Sequence, residues 1–327
     1  MILVTGGSGF IGSNLHAALA ADRRQVVIAD WLGHEGQKWR NFYHHPPHAL
    51  VRPEQLDEFL AREKRVTTIM HMGAVSETTA TDADFVWHTN VTLSQNLWAW
   101  CAERQVRFIY ASSAATYGDG SAGFDDDMSL SALQKLRPLN LYGWSKHAFD
   151  LWVARQIENG LPAPPNWAGL KFFNVFGPNE YHKGKMISVV KVKHDELMAN
   201  EPARLFKSDQ AELADGEQKR DFIYIDDVIA ALKFLITIPK VSGIFNLGTG
   251  NARSYVDLAR AVCQANNIPE RIEFIDMPQA LRGQYQSFTQ ASMTRLIALG
   301  FNHKFMTLEA GVNDYVQNYL RKADPYK

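Results

Sequence analysis

Tyr142 and Lys146 stand four residues apart in Tyr142-Gly143-Trp144-Ser145-Lys146, a spacing that sets two side chains on one face of a helix. A phenol and an ammonium so placed can exchange a proton with a substrate hydroxyl. Free tyrosine titrates near ~10, so its phenolate is usable at neutral pH only beside positive charge, which Lys146 supplies. Spacing alone does not select this pair, because Tyr181 and Lys185 repeat it. Context does: Tyr142 opens an apolar-periodic segment with Phe149, Leu151, Trp152 and Ile157, whereas Tyr181 follows the turn signal Gly177-Pro178. Ser113 comes just after the apolar run 108–111, at the sheet edge where ligands bind in open α/β folds. Its hydroxyl can orient a reacting alcohol, although without the Tyr and Lys pair a serine satisfying local backbone groups would be the simpler reading.

A second pattern lies at the N-terminus. The apolar run 2–5 leads into Thr5-Gly6-Gly7-Ser8-Gly9-Phe10-Ile11-Gly12, and a helical pattern follows over 13–20. Strand, glycine turn and helix start are what a pyrophosphate requires: backbone must approach it closely, and the helix N-terminus then offers free N–H groups and a positive dipole end. Gly7, Gly9 and Gly12 meet the dinucleotide fingerprint, and Gly6, Gly9 and Gly12 a wider spacing used by short-chain dehydrogenases. Asp30 ends the next apolar run, where an acid hydrogen-bonds the adenosine ribose and favours NAD. Against this, Lys38 lies in the following loop, as a neutraliser of a 2′-phosphate or as a solvated charge. At this level the residues leave NAD and NADP both open.

Elements to position these groups are legible. Short β-branched or aromatic runs at 2–5, 26–29, 68–72, 108–111, 170–174 and 244–247 alternate with helix-length segments. The pattern is α/β: a doubly wound parallel Rossmann sheet, with a smaller, mixed C-terminal substrate domain. The expected division gives residues 1–177 and 220–250 to the dinucleotide domain and 178–219 and 251–327 to the substrate domain. Cys101 and Cys263 sit in helical apolar patterns and read as core, with neither a disulfide framework nor a metal site expected. The Pro-rich run 161–165 and the acidic loop Asp125-Asp126-Asp127 read as solvated connections.

Composition narrows the function. The 327 residues are 46% hydrophobic and 21% charged, with a net charge of -1. Such a balance suits a folded globular protein and gives no electrostatic footprint for nucleic acid or an anionic membrane. No apolar stretch reaches the length of a membrane span, and the N-terminal run is too short for a signal peptide. A cytoplasmic protein with a small-molecule partner is the expectation.

Further motifs carry a resemblance. Ser112-Ser113-Ala114-Ala115-Thr116-Tyr117-Gly118, Phe173-Asn174-Val175-Phe176-Gly177-Pro178 and Arg220-Asp221-Phe222-Ile223-Tyr224-Ile225-Asp226-Asp227-Val228, with the glycine loop and Tyr142 and Lys146, are similar to those of extended short-chain dehydrogenase/reductases acting on nucleotide sugars. Within that group, His182-Lys183-Gly184, the run 214–222 and the run 283–290 resemble the ADP-glyceromanno-heptose 6-epimerase family. The resemblance spans essentially the whole chain. It implies transient oxidation at carbon 6 of the heptose by tightly bound NADP, with NAD the alternative, and return of hydride to the opposite face. It also implies Lys183 as a second proton-transfer group beside Tyr142, because hydroxyls of opposite configuration point to opposite sides. An amine titrating near ~10.4 must then be lowered by burial or by neighbouring positive charge, such as Lys185.

The same resemblance implies cofactor contacts from Phe10, Ile11, Asp30, Trp31, Lys38, Met72, Gly73, Ala74, Val75, Ser76, Asn90, Tyr142, Lys146 and Val175. It implies substrate contacts from Ser113, Asn174, Lys185, Phe206, Lys207, Ser208, Arg220 and Tyr285, and a homo-oligomer. Lys185 stands where better-known members have serine, and Val192 where they have histidine. Three other readings stay open. A UDP-hexose 4-epimerase would not need Lys183; a 4,6-dehydratase would need an acid that Ser113-Ala114-Ala115 lacks; a cofactor-binding regulator would need no catalysis.

Overall fold

The computed structural model describes residues 1–33, 37–278 and 286–327. Seven parallel strands form the central sheet: β1 Ile2–Thr5, β2 Val26–Ala29, β3 Ala49–Val51, β4 Thr68–His71, β5 Arg107–Ser113, β6 Trp167–Phe172 and, after four short strands elsewhere, β11 Ser242–Leu247. The order across the sheet is β11-β6-β5-β4-β1-β2-β3. The chain therefore reverses direction of winding between β1 and β4, and the crevice beyond their C-terminal ends is where such sheets bind ligands. In register there, Thr5 lies opposite Ala29 on one side and His71 on the other.

Helices cover both faces, which is why these strands are continuous apolar runs and not alternating ones. Leu3, Val4, Ile28, Ile69, Met70, Phe108, Ile109, Leu170 and Ile244 have no exposed surface, each contributing roughly 1.5–3 kcal/mol by burial. Cys101 and Cys263 lie buried in the helices Leu93–Arg104 and Tyr255–Ala265.

The sequence reading needs three corrections here. The edge strand β3 escaped it, because only Val51 of its three residues is buried and Pro46-Pro47 precede it. The expected run 170–174 is two strands: β6 stops at Phe172, and Asn174 begins β7 Asn174–Phe176, whose partner is β10 Phe222–Tyr224. The Phe173 N–H still donates to Leu247 O of β11, and the chain leaves the sheet one residue later, where the Asn174 N–H donates to Asp221 O. Asp126, expected in a solvated loop, is buried and accepts the Asn246 N–H at 2.8 Å.

Two smaller pairings complete the chain. β8 Ala203–Phe206 runs parallel to β13 Ile272–Ile275, and β9 Lys219–Arg220 lies antiparallel to β12 Arg253–Ser254. Ala203, Leu205, Val256 and Ala259 form a separate small core there.

Candidate active site

The glycine loop lies at the switch point. Gly6 takes a left-handed conformation, φ +65°, and a Cβ on it would sit 2.5 Å from the Gly73 backbone. A Cβ on Gly12 would sit 2.2 Å from Gly6 O. Both positions therefore need glycine to let the loop, the strand β4 and the helix Phe10–Ala21 close together. Gly9 caps that helix with no side-chain hydrogen bond, so its first-turn N–H groups stay available to a pyrophosphate.

At the other end of the cofactor path, the Asp30 carboxylate accepts from the Ser8 N–H at 3.0 Å, the Ser8 hydroxyl at 2.5 Å and the Trp31 N–H at 2.8 Å. Lys38 is in a short 3-10 helix, Lys38–Phe42, and not in an irregular loop. Its ammonium pairs with Asp30 at 3.0 Å. Trp31 is partly exposed, donating to Glu54 at 2.7 Å. Free helix N–H groups, a glycine cradle and an acid beside a lysine fit a nicotinamide dinucleotide.

Met72, Gly73, Ala74, Val75 and Ser76 leave β4 along the crevice as a half-buried loop that opens to solvent at Ser76. Asn90 holds it: its amide accepts the Val75 N–H at 2.8 Å and donates to Val75 O at 2.9 Å and to the Ser145 hydroxyl at 2.9 Å. Asn90 therefore ties the loop to the helix that carries Tyr142. Sequence reasoning missed His71, which shares hydrogen bonds with Thr5 at 2.7 Å and Ser94 at 2.8 Å. Burial, with Lys146 adding to it, pushes this imidazole down to about 3, so it is neutral. A histidine ending a strand next to the glycine strand was the available signal.

Tyr142 and Lys146 open the helix Leu141–Glu158, whose start is fixed by Asn140 accepting the Gly143 N–H at 2.8 Å. Ser113, the last residue of β5, meets the Tyr142 phenol. Burial pushes that phenol up and the Ser113 hydroxyl pulls it down. Lys146 is buried, and burial pushes its ammonium down to about 8 against the pull of Asp150. Asp150, one turn further on, is fully buried and accepts from Tyr110 at 3.0 Å, Ser112 at 2.7 Å and Lys171 at 2.8 Å. Lys171 also donates to Thr116 at 2.6 Å, and Thr116 to Ser113 O at 2.8 Å. A buried polar network thus fastens the serine strand end to the tyrosine helix.

Lys183 arrives from elsewhere, on the 3-10 turn Tyr181–Met186. Its ammonium lies 5.3 Å from the centroid of Phe10, the first helical residue after the glycine loop. Met186 of the same turn accepts from Thr78, beyond β4, at 3.7 Å. The turn therefore touches both sides of the crevice. Burial lowers the Lys183 pKa, and the buried Glu180 opposes that. Of the two causes expected, burial and the neighbouring Lys185, burial is the one that acts, and Lys185 is exposed. The decoy Tyr181 donates to Pro325 O at 2.7 Å, and burial raises its phenol far above the usual range.

The expected substrate residues are more spread out. Asn174 is exposed at the start of β7 with Val175 half-buried beside it. Arg220 is buried, donates to Lys219 O at 2.9 Å and to Gln286 O, and packs 5.6 Å from the Tyr255 ring. Phe206 ends β8; Lys207 pairs with Asp276 at 3.0 Å, and the Ser208 N–H donates to Asp215 at 2.8 Å. Tyr285 lies outside the described residues. No helix among the described residues is long and apolar enough to cross a membrane.

Comparison with known proteins adds to this geometry. Residues 2–248 match the family described as NAD dependent epimerase/dehydratase. The chain is 44% identical to an ADP-L-glycero-D-manno-heptose-6-epimerase of Fusobacterium nucleatum, with 100% of each chain covered. The structure resembles a Helicobacter pylori ADP-L-glycero-D-manno-heptose-6-epimerase with a TM-score of 0.79 at 27% identity, covering 97% of this chain and 95% of that one. It also shares the fold of a Methanobrevibacter ruminantium UDP-N-acetylglucosamine 4-epimerase, with a TM-score of 0.79 at 22% identity over 97% and 96% of the two chains.

Proposed function

The chain belongs to the NAD dependent epimerase/dehydratase family and groups within it with ADP-L-glycero-D-manno-heptose-6-epimerases, and from that premise we propose that it is an isomerase inverting carbon 6 of ADP-D-glycero-D-manno-heptose. The product is the L-glycero epimer, a precursor of lipopolysaccharide core, formed in the cytoplasm by a homo-oligomer. The observation that carries the reading is Lys183 set over Phe10, beside the dinucleotide loop and on a different element from Tyr142.

When bound, the nicotinamide supplies a reversible hydride acceptor for carbon 6. Tyr142 takes the hydroxyl proton of one epimer, with Ser113 hydrogen-bonded to its phenol and Lys146 one helical turn away. Lys183 exchanges the proton of the opposite configuration. Two groups are needed because, with carbon 6 facing the nicotinamide, hydroxyls of opposite configuration point to opposite sides. Burial lowers the Lys183 pKa, the direction such a step requires.

The cofactor we propose is NADP. Lys38 neutralises Asp30, which would otherwise repel a 2′-phosphate, and adds a donor at that position. Residues 178–219 and 251–327 are read as the substrate domain, with Asn174, Lys185, Phe206, Lys207, Ser208, Arg220 and Tyr285 holding the sugar and diphosphate. A buried guanidinium suits phosphate oxygens through its fork of donors.

The test is incubation of purified protein with ADP-D-glycero-D-manno-heptose, following the ratio of carbon 6 epimers by NMR. The expected result is conversion toward an equilibrium mixture without net change in cofactor redox state. Absence of conversion by cofactor-loaded enzyme, with turnover of a UDP-hexose instead, would replace this reading by a 4-epimerase.

A further inference from the structure

Lys183 depends on a weak piece of backbone. Its turn, Tyr181–Met186, has 3-10 geometry, which gives poor hydrogen bonds and no long cooperative ladder. Gly184 breaks even that, with φ 51° and ψ -125°. The direction of the Lys183 side chain must then be set by side-chain anchors on either side of it. Glu180 takes the Ser188 N–H at 2.8 Å and its hydroxyl at 2.5 Å. His182 accepts from Asn41 at 3.2 Å, and Asn41 also donates to Ser8 O at 2.8 Å in the glycine loop. The third anchor is Tyr181, and it is held by the last residues of the sequence.

Those residues form a strap. Tyr181 donates to Pro325 O at 2.7 Å, and its ring meets Tyr326 edge-on at 5.1 Å. Tyr326 also meets Tyr43 at 6.3 Å, with the Arg40 guanidinium 6.0 Å from its centroid. Asp324 accepts from Tyr43 and from His44, the latter at 2.9 Å. The Lys327 N–H donates to Asn179 at 3.0 Å, and its ammonium pairs with Asp226. The strap therefore spans two segments that also meet through the Asn41–His182 hydrogen bond: the 3-10 helix Lys38–Phe42 and the turn bearing Lys183.

We propose that residues 324–327 are a positioning strap for the second proton-transfer group, holding the Lys183 turn against the Lys38–Phe42 segment so that the ammonium stays over Phe10. The proposal rests on the reading of Lys183 given above. The strap touches the turn through Tyr181, two residues from Lys183, and so acts through the turn and not on substrate.

The test compares four full-length variants, Tyr326→Ala, Tyr326→Phe, Tyr181→Phe and Lys183→Ala, with a chain lacking residues 323–327, in the NADP-loaded enzyme. Misplacement of an acid–base group by a fraction of an ångström to an ångström costs one to two orders of magnitude. Tyr326→Ala and the shortened chain are therefore expected to lower kcat for epimerisation on the order of tenfold. KM for the sugar nucleotide and the melting temperature stay near wild type. Tyr326→Phe, which keeps the ring contacts, restores kcat, and Tyr181→Phe falls between. Wild-type kcat in Tyr326→Ala, with Lys183→Ala inactive, overturns the strap alone. A parallel fall in kcat, rise in KM and drop in melting temperature overturns it too, by showing general support of the fold. Activity retained in Lys183→Ala overturns the reading of Lys183 beneath it.

Discussion

The two residues proposed to transfer protons, Tyr142 and Lys183, are held in opposite ways in this molecule. Tyr142 opens an 18-residue helix with an asparagine cap, and the serine beside it ends an inner strand of the sheet. Beneath them Asp150, Lys171, Tyr110, Ser112 and Thr116 form a buried network. Lys183 sits on six residues of 3-10 turn, kept in place by side-chain contacts involving Ser188, Asn41 and the strap. One group is positioned by regular backbone and the other by side chains. The lesson is that precision on the Tyr142 side is coupled to global stability, whereas on the Lys183 side it can be lost while the fold stays intact.

Mutations can break or sharpen that contrast. The largest expected effect is on Tyr142→Phe, which removes one proton-transfer group without disturbing the helix. Its kcat should fall by about 10²–10⁴-fold, the range for a single acid–base group, with an unchanged urea midpoint; both are read on the same preparation. Next, Asp150→Ala leaves Lys171 buried without its carboxylate. The expected loss is roughly 3–5 kcal/mol of folding stability, measured by denaturant titration, and activity falls with it. An Asp150 variant that lost activity at full stability would break the contrast. The smallest effect is on Asn140→Ala, which removes the cap of the tyrosine helix and should cost about 1 kcal/mol, again by denaturant titration, with a modest loss of kcat.

How far the sequence reached follows the same divide. The glycine loop, Tyr142, Lys146 and Ser113 were legible because each sits at a fixed point of a periodic pattern: a strand end, a helix start, a tight turn. All but one of the sheet strands announced themselves as buried apolar runs, and β3 did not because it is a half-exposed edge. The break at Phe173 was hidden, since a run such as Leu170-Lys171-Phe172-Phe173-Asn174 has no local stop signal, and the bond that draws the chain out of the sheet, from the Asn174 N–H, goes to Asp221 far along the sequence. His71 and Asn41 were missed for the same reason, their partners being 23 to 141 residues away. Asp126 was misread because its burial depends on Asn246. Lys183 was found only by resemblance, and the choice between burial and Lys185 as the cause of its lowered pKa, which falls to burial, stayed open because 3-10 turns carry no pattern that predicts what they pack against.

The most direct test of two opposed groups is the carbon 6 epimer ratio, followed by NMR from pure ADP-D-glycero-D-manno-heptose, in wild type and in Lys183→Ala at matched NADP occupancy. The account predicts that wild type converts the substrate to a mixture of both epimers, while the variant binds cofactor and substrate yet leaves the starting epimer essentially unconverted. Conversion by Lys183→Ala at the wild-type rate would contradict it, leaving Tyr142 to serve both faces of the carbon.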